Sequence, residues 1–328
     1  MQRSATIEDV AAAAGVSRQT VSRAMNAMPG ISPATKAQVL AVARSLHYRP
    51  SRFGRGLAKA DHRMLGLVLN DVTNPYYPAL ASAVTGTANR AGWNVLLADT
   101  SHSTDREALL ADLAGQVDGV VGYLWLDPET QDRLFNGIPV VEIDPPRRQP
   151  LHGAVTFNLR PAMRDLVRYL ADPGVQRVLM IDEAPPDGMS ARARVFASEL
   201  ERGGLIFDHA PIETGSVAGD LAAIGATLDA HPGAETVLAY NDLSALGVMG
   251  ALRDRGRRVP ADVRVIGIDG LSIGELITPR PTTLAIDLTE VGRLAVELVL
   301  GMRTGEIPLS GPDARRRVRH RLLLRDSA

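Results

Sequence analysis

The chain has 328 residues, 45% hydrophobic and 22% charged, the balance of a soluble globular protein with room for a small module beside a large core. It holds no cysteine, which excludes disulfides, thiolate metal sites and cysteine nucleophiles. The N-terminal MQRSATIEDV lacks the apolar stretch of a secretory leader, and no run approaches the roughly 18 apolar residues of a membrane span, so a cytoplasmic protein with no membrane partner is expected.

Residues 6–26, TIEDVAAAAGVSRQTVSRAMN, predict two short helices joined by a tight turn. Ile7, Val10, Ala11 and Ala14 fall at i, i+3, i+4 and i+7, one apolar stripe. Thr6 stands at the N-cap position with Asp9 three residues on, a variant of the capping box, and Gly15 tolerates the positive φ that the turn needs. Ser17 caps a second helix, Arg18 to Asn26, on which Val21 and Met25 share the packing face. Arg18, Gln19, Ser22, Arg23 and Asn26 are left on its other faces. This is the layout of a helix-turn-helix, whose second helix reads base edges in the major groove. Arg suits guanine O6 and N7, and Gln suits adenine N6 and N7. Ser17, Thr20 and Ser22 suit phosphate oxygens. After a Met28-Pro29-Gly30 loop, Ser32-Pro33 starts a third helix that runs to about His47 and stops before Pro50.

This stretch, DVAAAAGVSRQTVSRAMN followed by ISPATKAQVLAVARSLHYRPSRFGRGLA, resembles the DNA-binding headpiece of the LacI/GalR transcriptional repressors, densely over residues 6–59 and more thinly over nearly the whole chain. The resemblance implies a dimeric, ligand-controlled repressor that binds a near-palindromic double-stranded DNA operator, with Thr6 among the headpiece contacts. Charge agrees. Residues 1–60 carry nine Lys and Arg (Arg3, Arg18, Arg23, Lys36, Arg44, Arg49, Arg52, Arg55, Lys59) against Glu8 and Asp9, a net +7 that leaves −8 on the remainder. A cationic arm on an anionic body is the footprint of phosphate binding, and places the protein at the nucleoid. In residues 51–59, SRFGRGLAK, Phe53 and Leu57 lie at i and i+4, but Gly54 and Gly56 each oppose a helix by roughly 1 kcal/mol. In the family this piece is a hinge helix that orders on DNA, with Ser51 and Arg52 among its contacts. Leu57 matches the leucine that wedges into the minor groove and bends the duplex. The two glycines depart from the family's alanine-rich pattern.

From Met64 short β-rich runs alternate with helical stretches: 64–70, a helix 76–91, 94–100, a helix 105–115, 117–125 and 138–144. A second series follows: 175–182, a helix 189–203, 204–210, a helix 218–230, 236–241, a helix 243–255 and 263–269. A helix near 289–302 and a last strand near 317–324 cross back. Such alternation gives an α/β fold with parallel sheets covered on both faces. The resemblance implies the family's two-lobed, periplasmic-binding-protein-like core. The expected division is a headpiece over 1–49, a hinge over 50–61 and an effector-binding and dimerisation core over 62–328. Lobe 1 takes about 62–157 and 288–317, and lobe 2 about 158–287 and 318–328.

Ligands of open α/β sheets sit at the carboxyl ends of strands. Asp71, Asn241-Asp242 and Asp269 fall there, with Asp242 expected to cap the next helix. Arg192 and Arg194 open the helix after the loop DEAPPDGMS. In the family the residues matching Asn241, Asp269 and Arg194 hold the effector, often through sugar hydroxyls, and a carboxylate with an Arg fork can satisfy a diol or a polar ring edge. Tyr76 and Tyr77 match aromatic positions that flank a sugar or base. Two places depart from the family: Ile286 stands where several sugar-binding members carry a polar residue, and Phe157-Asn158-Leu159 replaces a more usual polar triplet, in which Asn158 itself fits. The run RRRVRHR, 315–321, reads as a strand with charged faces running into LLLRDSA, without a heptad extension for a tetramer.

No P-loop, nucleophile elbow or strand-linked Gly-x-Gly-x-x-Gly is present. The histidines lack metal spacing, and Asp99, Asp118 and Asp182 form no recognisable catalytic pair. The sequence thus predicts a regulator rather than an enzyme, a homodimer with no cofactor. A nucleobase-like corepressor in the same cleft, or a solute-binding protein sharing only the core, are the alternatives; the basic headpiece opposes the second.

Overall fold

The computed structural model describes residues 6–25, 28, 30–46, 63–135, 137–146, 152–171, 174–184, 188–212 and 217–328. The chain divides into two units, Met1–His62 and Arg63–Ala328. Asn26, Ser51, Arg52, Leu57 and the whole expected hinge lie outside the described residues.

In the first unit three helices, α1 (Ile7–Ala14), α2 (Arg18–Met25) and α3 (Pro33–Ser45), close one small core. Thr6 accepts from the Asp9 amide while the Asp9 carboxylate accepts from the Thr6 amide at 2.7 Å, a complete capping box. Gly15 ends α1 at φ +64°, a conformation costly for any residue with a Cβ. Val10, Ala14, Val21, Ala24, Val39 and Ala43 are almost fully buried. Ala24, rather than Met25, is the second buried residue of α2, because Val21 and Ala24 lie on one face three residues apart while Met25 reaches only the core's edge.

The second unit holds two six-stranded sheets. The first collects β1 (Met64–Leu69), β2 (Asn94–Asp99), β3 (Gly119–Gly122), β4 (Val140–Ile143), β5 (Gly153–Asn158) and β11 (Arg315–Arg319) in the order β11-β5-β4-β3-β1-β2, all parallel. The second collects β6 (Arg177–Glu183), β7 (Ile206–Ile212), β8 (Thr236–Ala239), β9 (Arg264–Asp269), β10 (Thr282–Ala285) and β12 (Arg321–Leu323) in the order β12-β10-β9-β8-β6-β7, with only β12 antiparallel to its neighbour.

Helices cover both faces of each sheet. On the first, α4 (Tyr76–Arg90) and α11 (Leu288–Thr304) pack with Leu65, Leu67 and Leu69, while α5 (Arg106–Ala114) and α6 (Pro128–Phe135) pack with Val68 and Val120. On the second, α7 (Arg160–Ala171) and α8 (Ala191–Arg202) face Val178 and Met180, while α9 (Val217–Ala230) and α10 (Asp242–Asp254) face Leu179 and Ile181. Sheets buried on both sides are read in the sequence as continuous apolar runs such as MLGLVL.

Among the described α-helices and strands, α6, α7, β5 and β10 were not evident in the sequence. The expected last strand is two. Arg315–Arg319 pairs with β5 of the first sheet, Arg321–Leu323 pairs with β10 of the second, and His320 alone separates them. The chain therefore passes between the sheets three times, after Asn158, after Ala285 and at His320.

Candidate functional site

In the first unit, α2 exposes Arg18, Gln19 and Arg23 and half-buries Thr20 and Ser22. Ser17 accepts from the Thr20 amide at 3.1 Å, and the two hydroxyls lie 2.9 Å apart. Ser32 and Thr35 repeat this arrangement at the start of α3, at 3.1 and 2.8 Å. Gln19, Thr20 and Arg23 face Gly30, Ile31, Ser32 and Thr35 across a concave surface. Exposed amide and guanidinium donors thus sit above two helix N-termini, which favour anions. Arg18 rests 3.5 Å from Glu8, an exposed pair easily given up.

In the second unit, the carboxyl ends of both sheets meet in a cleft. Arg192 lies in the first turn of α8. Ser190 caps that helix, and the Ser190 amide donates to Asp182 at 2.8 Å. The Arg192 guanidinium donates to the Tyr240 carbonyl at 2.8 Å and to Asp269 at 3.1 Å, and lies 4.9 Å over the Tyr240 ring. Asp269 ends β9 at φ +108°, unusual for a residue with a Cβ and the kind of strain that collects at functional sites. It is 3% exposed, and burial pushes its carboxyl up to about 7 against the pull of Arg192.

The opposing wall is aromatic. The Tyr76 hydroxyl is 2.7 Å from that of Tyr123, Tyr77 packs edge-on against both rings, and Trp125 continues the series at 6.0 Å from Tyr123. Trp125 is 54% exposed, and Arg106 lies over its ring while donating to the carbonyls of Tyr123 and Leu124. Gly122 lets the chain leave β3 at φ +141°; a Cβ there would meet the Val68 carbonyl oxygen at 2.0 Å. Asn70 donates to the Tyr77 hydroxyl at 3.3 Å, and its own carbonyl oxygen is buried without a partner. Asp144 accepts from the Phe157 amide at 3.1 Å, and burial raises its carboxyl, opposed by that amide and by Arg192. Burial also raises the Tyr76 and Tyr77 hydroxyls, and the charges of Asp269 and Arg192 reach both rings, so the two walls share one electrostatic field.

The structure brings Tyr76, Tyr77, Arg192 and Asp269 together. Tyr76 is itself buried, with its hydroxyl engaged by Tyr123, so Tyr77 is the more accessible ring. Arg194 turns out toward solvent and donates to the Met189 carbonyl. Asp71 accepts from the Thr73 amide and hydroxyl in a local turn. Asn158 is half-buried, and its carbonyl accepts from the His320 amide at 3.1 Å. The cap expected of Asp242 belongs to Asn241, which accepts from the Ser244 amide at 2.7 Å and donates to Glu183 at 3.2 Å. Asp242 instead accepts from Thr283 and the Leu271 amide, both at 2.6 Å, holding β10 and the Asp269 turn in place. Sequence reasoning missed Asn70, Tyr123, Trp125, Asp144, Glu183 and Tyr240, although each sits at or just past a strand's carboxyl end.

Residues 6–51 match the family model for bacterial regulatory proteins of the lacI family, and residues 167–328 match that for a periplasmic binding protein-like domain. The chain is 32% identical to the HTH-type transcriptional regulator CelR of Thermobifida fusca over 321 residues, 93% of this chain and 94% of that protein. It is 30% identical to the ribose operon repressor of Bacillus subtilis over 305 residues, 91% of each. Among solved structures, a LacI family transcriptional regulator from Arthrobacter sp. FB24 in complex with lactose superimposes with a TM-score of 0.75 at 34% identity, covering 80% of this chain and 98% of that one.

Proposed function

The chain belongs to the LacI family of bacterial regulatory proteins, and on that premise we propose that it is a DNA-binding transcriptional repressor whose operator affinity is set by a small sugar-like effector in the core cleft. The observation that carries the effector reading is the Arg192–Asp269 pair. A buried carboxyl and a largely buried guanidinium act on Tyr76 and Tyr77 across the carboxyl ends of the two mostly parallel sheets. Polar forks on one wall and apolar ring faces on the other match the two surfaces of a pyranose or furanose. The lactose held by the Arthrobacter relative makes sugars the first class to test.

In the headpiece, Arg18 and Gln19 read base edges, while Thr6, Ser17, Thr20, Ser22, Arg23 and Asn26 position the helix on phosphates. Residues 50–61 act as the hinge between headpiece 1–49 and core 62–328, with Ser51, Arg52 and Leu57 on the minor groove. Two copies read a near-palindromic site. Effector control requires that the ligand bind one core conformation better than another, and the coupling is reciprocal. The test is a thermal-shift screen of the full-length protein against sugars, polyols and nucleobases, followed by operator titration with each hit. DNA attachment that is weak, erased by modest salt and blind to sequence under every compound would remove the reading.

A further inference from the structure

One buried group near the cleft is used by nothing described so far. His320 is the single residue between β11 and β12, where the chain changes sheets for the last time. Its neighbour Arg321 pairs with Ala285, and Ala285 pairs with Asp269, so the imidazole hangs one residue from the row that ends on the site carboxylate. The ring lies 5.9 Å from that of Phe157, nearly perpendicular to it, and feels the Arg192 charge. It is 5% exposed, and neither ring nitrogen makes a well-formed hydrogen bond, the Asn158 backbone being the one hydrogen-bonding group, among the described residues, close enough to act on the ring. Buried polar atoms are almost always bonded, and two orphans on one ring call for an explanation.

Building on the proposed effector cleft, we propose that the His320 imidazole is an effector-recognition group that donates to one hydroxyl and accepts from another on a neutral polyol. The chemistry follows from the surroundings. Burial, reinforced by the nearby guanidinium, holds the ring down at about 4, so it is neutral at physiological pH. A neutral imidazole presents one N–H and one lone pair on opposite sides, a match for hydroxyls, which both donate and accept. An anionic ligand that reached the Arg192–Asp269 pair would meet the fields of Asp144, Glu183 and Asp269 there, while Arg192 is already committed to Asp269 and the Tyr240 carbonyl. The site therefore selects an uncharged sugar over its phosphate ester. The position between two strands of different sheets also makes the ring sensitive to the angle between lobes, because crossovers are where two-lobed folds bend.

The test uses the full-length wild type, His320→Leu and His320→Gln, with D-glucose, D-ribose, cellobiose, lactose, D-glucose 6-phosphate and D-ribose 5-phosphate as probes, read by thermal shift and calorimetry. Leucine removes both orphan nitrogens, so its ligand-free melting point stays level or rises, while affinity for the neutral sugar that binds wild type falls about tenfold or more. Glutamine, which keeps a donor and an acceptor, restores most of that affinity. Phosphorylated probes bind wild type more weakly than neutral ones. Full affinity in the leucine variant overturns the role of His320 and leaves the sugar cleft standing. A lowered ligand-free melting point in the leucine variant makes the ring a packing element and also overturns it, as does tighter binding of the phosphates. If no neutral sugar binds wild type, the sugar reading of the cleft itself falls, and this inference with it.

Discussion

Asp269→Asn separates charge from shape at the cleft. The amide keeps the size of the carboxyl and can still accept one bond from Arg192, but the guanidinium loses its countercharge. Breaking a fully buried ion pair from one side costs about 3–5 kcal/mol. Two facts oppose that here: the Arg192 side chain is 25% exposed, and burial raises the Asp269 carboxyl toward its neutral form, so the countercharge is already weakened in the wild type. Near pH 4 both side chains at position 269 are neutral and the two proteins should melt alike; by neutral pH the wild type has lost up to a few kcal/mol that the variant keeps, several degrees in the melting point of a core this size. The pH dependence sharpens the test. The folded carboxyl titrates above the unfolded value of 3.8, so between about pH 4 and 7 the native state holds more protons, and this group's contribution to stability falls as pH rises. The variant cannot titrate there, so its melting point rises relative to that of the wild type as pH climbs through that window. Differential scanning fluorimetry across pH, with operator titration in the presence and absence of effector, reads both effects. Operator binding without effector should persist and the effector response should vanish. An unchanged response together with an unchanged pH profile would refute the assignment.

Replacing Arg18 or Gln19 with Ala should cost about 1–3 kcal/mol of operator affinity and relax preference at one base position; an unaltered sequence recovered from randomised operators would exclude α2 as the reader. Trp125→Ala should weaken effector binding several-fold without lowering the melting point, since the ring is more than half exposed; unaltered calorimetry would take Trp125 out of the site. Gly122→Ala drives a methyl into the Val68 carbonyl at a φ that alanine avoids, and should cost about 3 kcal/mol of core stability; a wild-type melting curve would contradict the close approach. Thr6→Ala removes the capping box and should cost the headpiece about 1 kcal/mol, seen as faster amide exchange over α1 with no change in the core.

The headpiece was legible almost residue by residue because its signals are local: a capping pair three apart, a glycine at a forced turn, an apolar stripe of helical period. The core's strands announced themselves as buried apolar runs. The missed elements lack those signals. Helix α7 begins Arg160-Pro161, which reads as a break although proline is tolerated in a first turn. Helix α6, PETQDRLF, is polar over most of its length. Strand β10, with four residues, is too short for a period to show. The site was legible in its residue types but not in its directions. Arg192 and Arg194 are two apart, about 200° around a helix, so only one can face the cleft, and nothing local says which. Likewise Asn241 and Asp242 both suit a helix start; which one caps depends on Thr283 and Leu271, which lie 41 and 29 residues away.

The triple passage of the backbone has a consequence for genetics. Neither lobe is an unbroken stretch of gene, so neither can be excised, swapped or expressed by choosing two end points. The last strands make this acute: a stop codon placed after Ala314 would strip the outermost strand from both sheets at once. It would also remove Ser327, which bonds the Thr282 amide and the Val265 carbonyl. Nonsense mutations there should therefore behave as nulls for the entire sensor rather than as partial losses of one half.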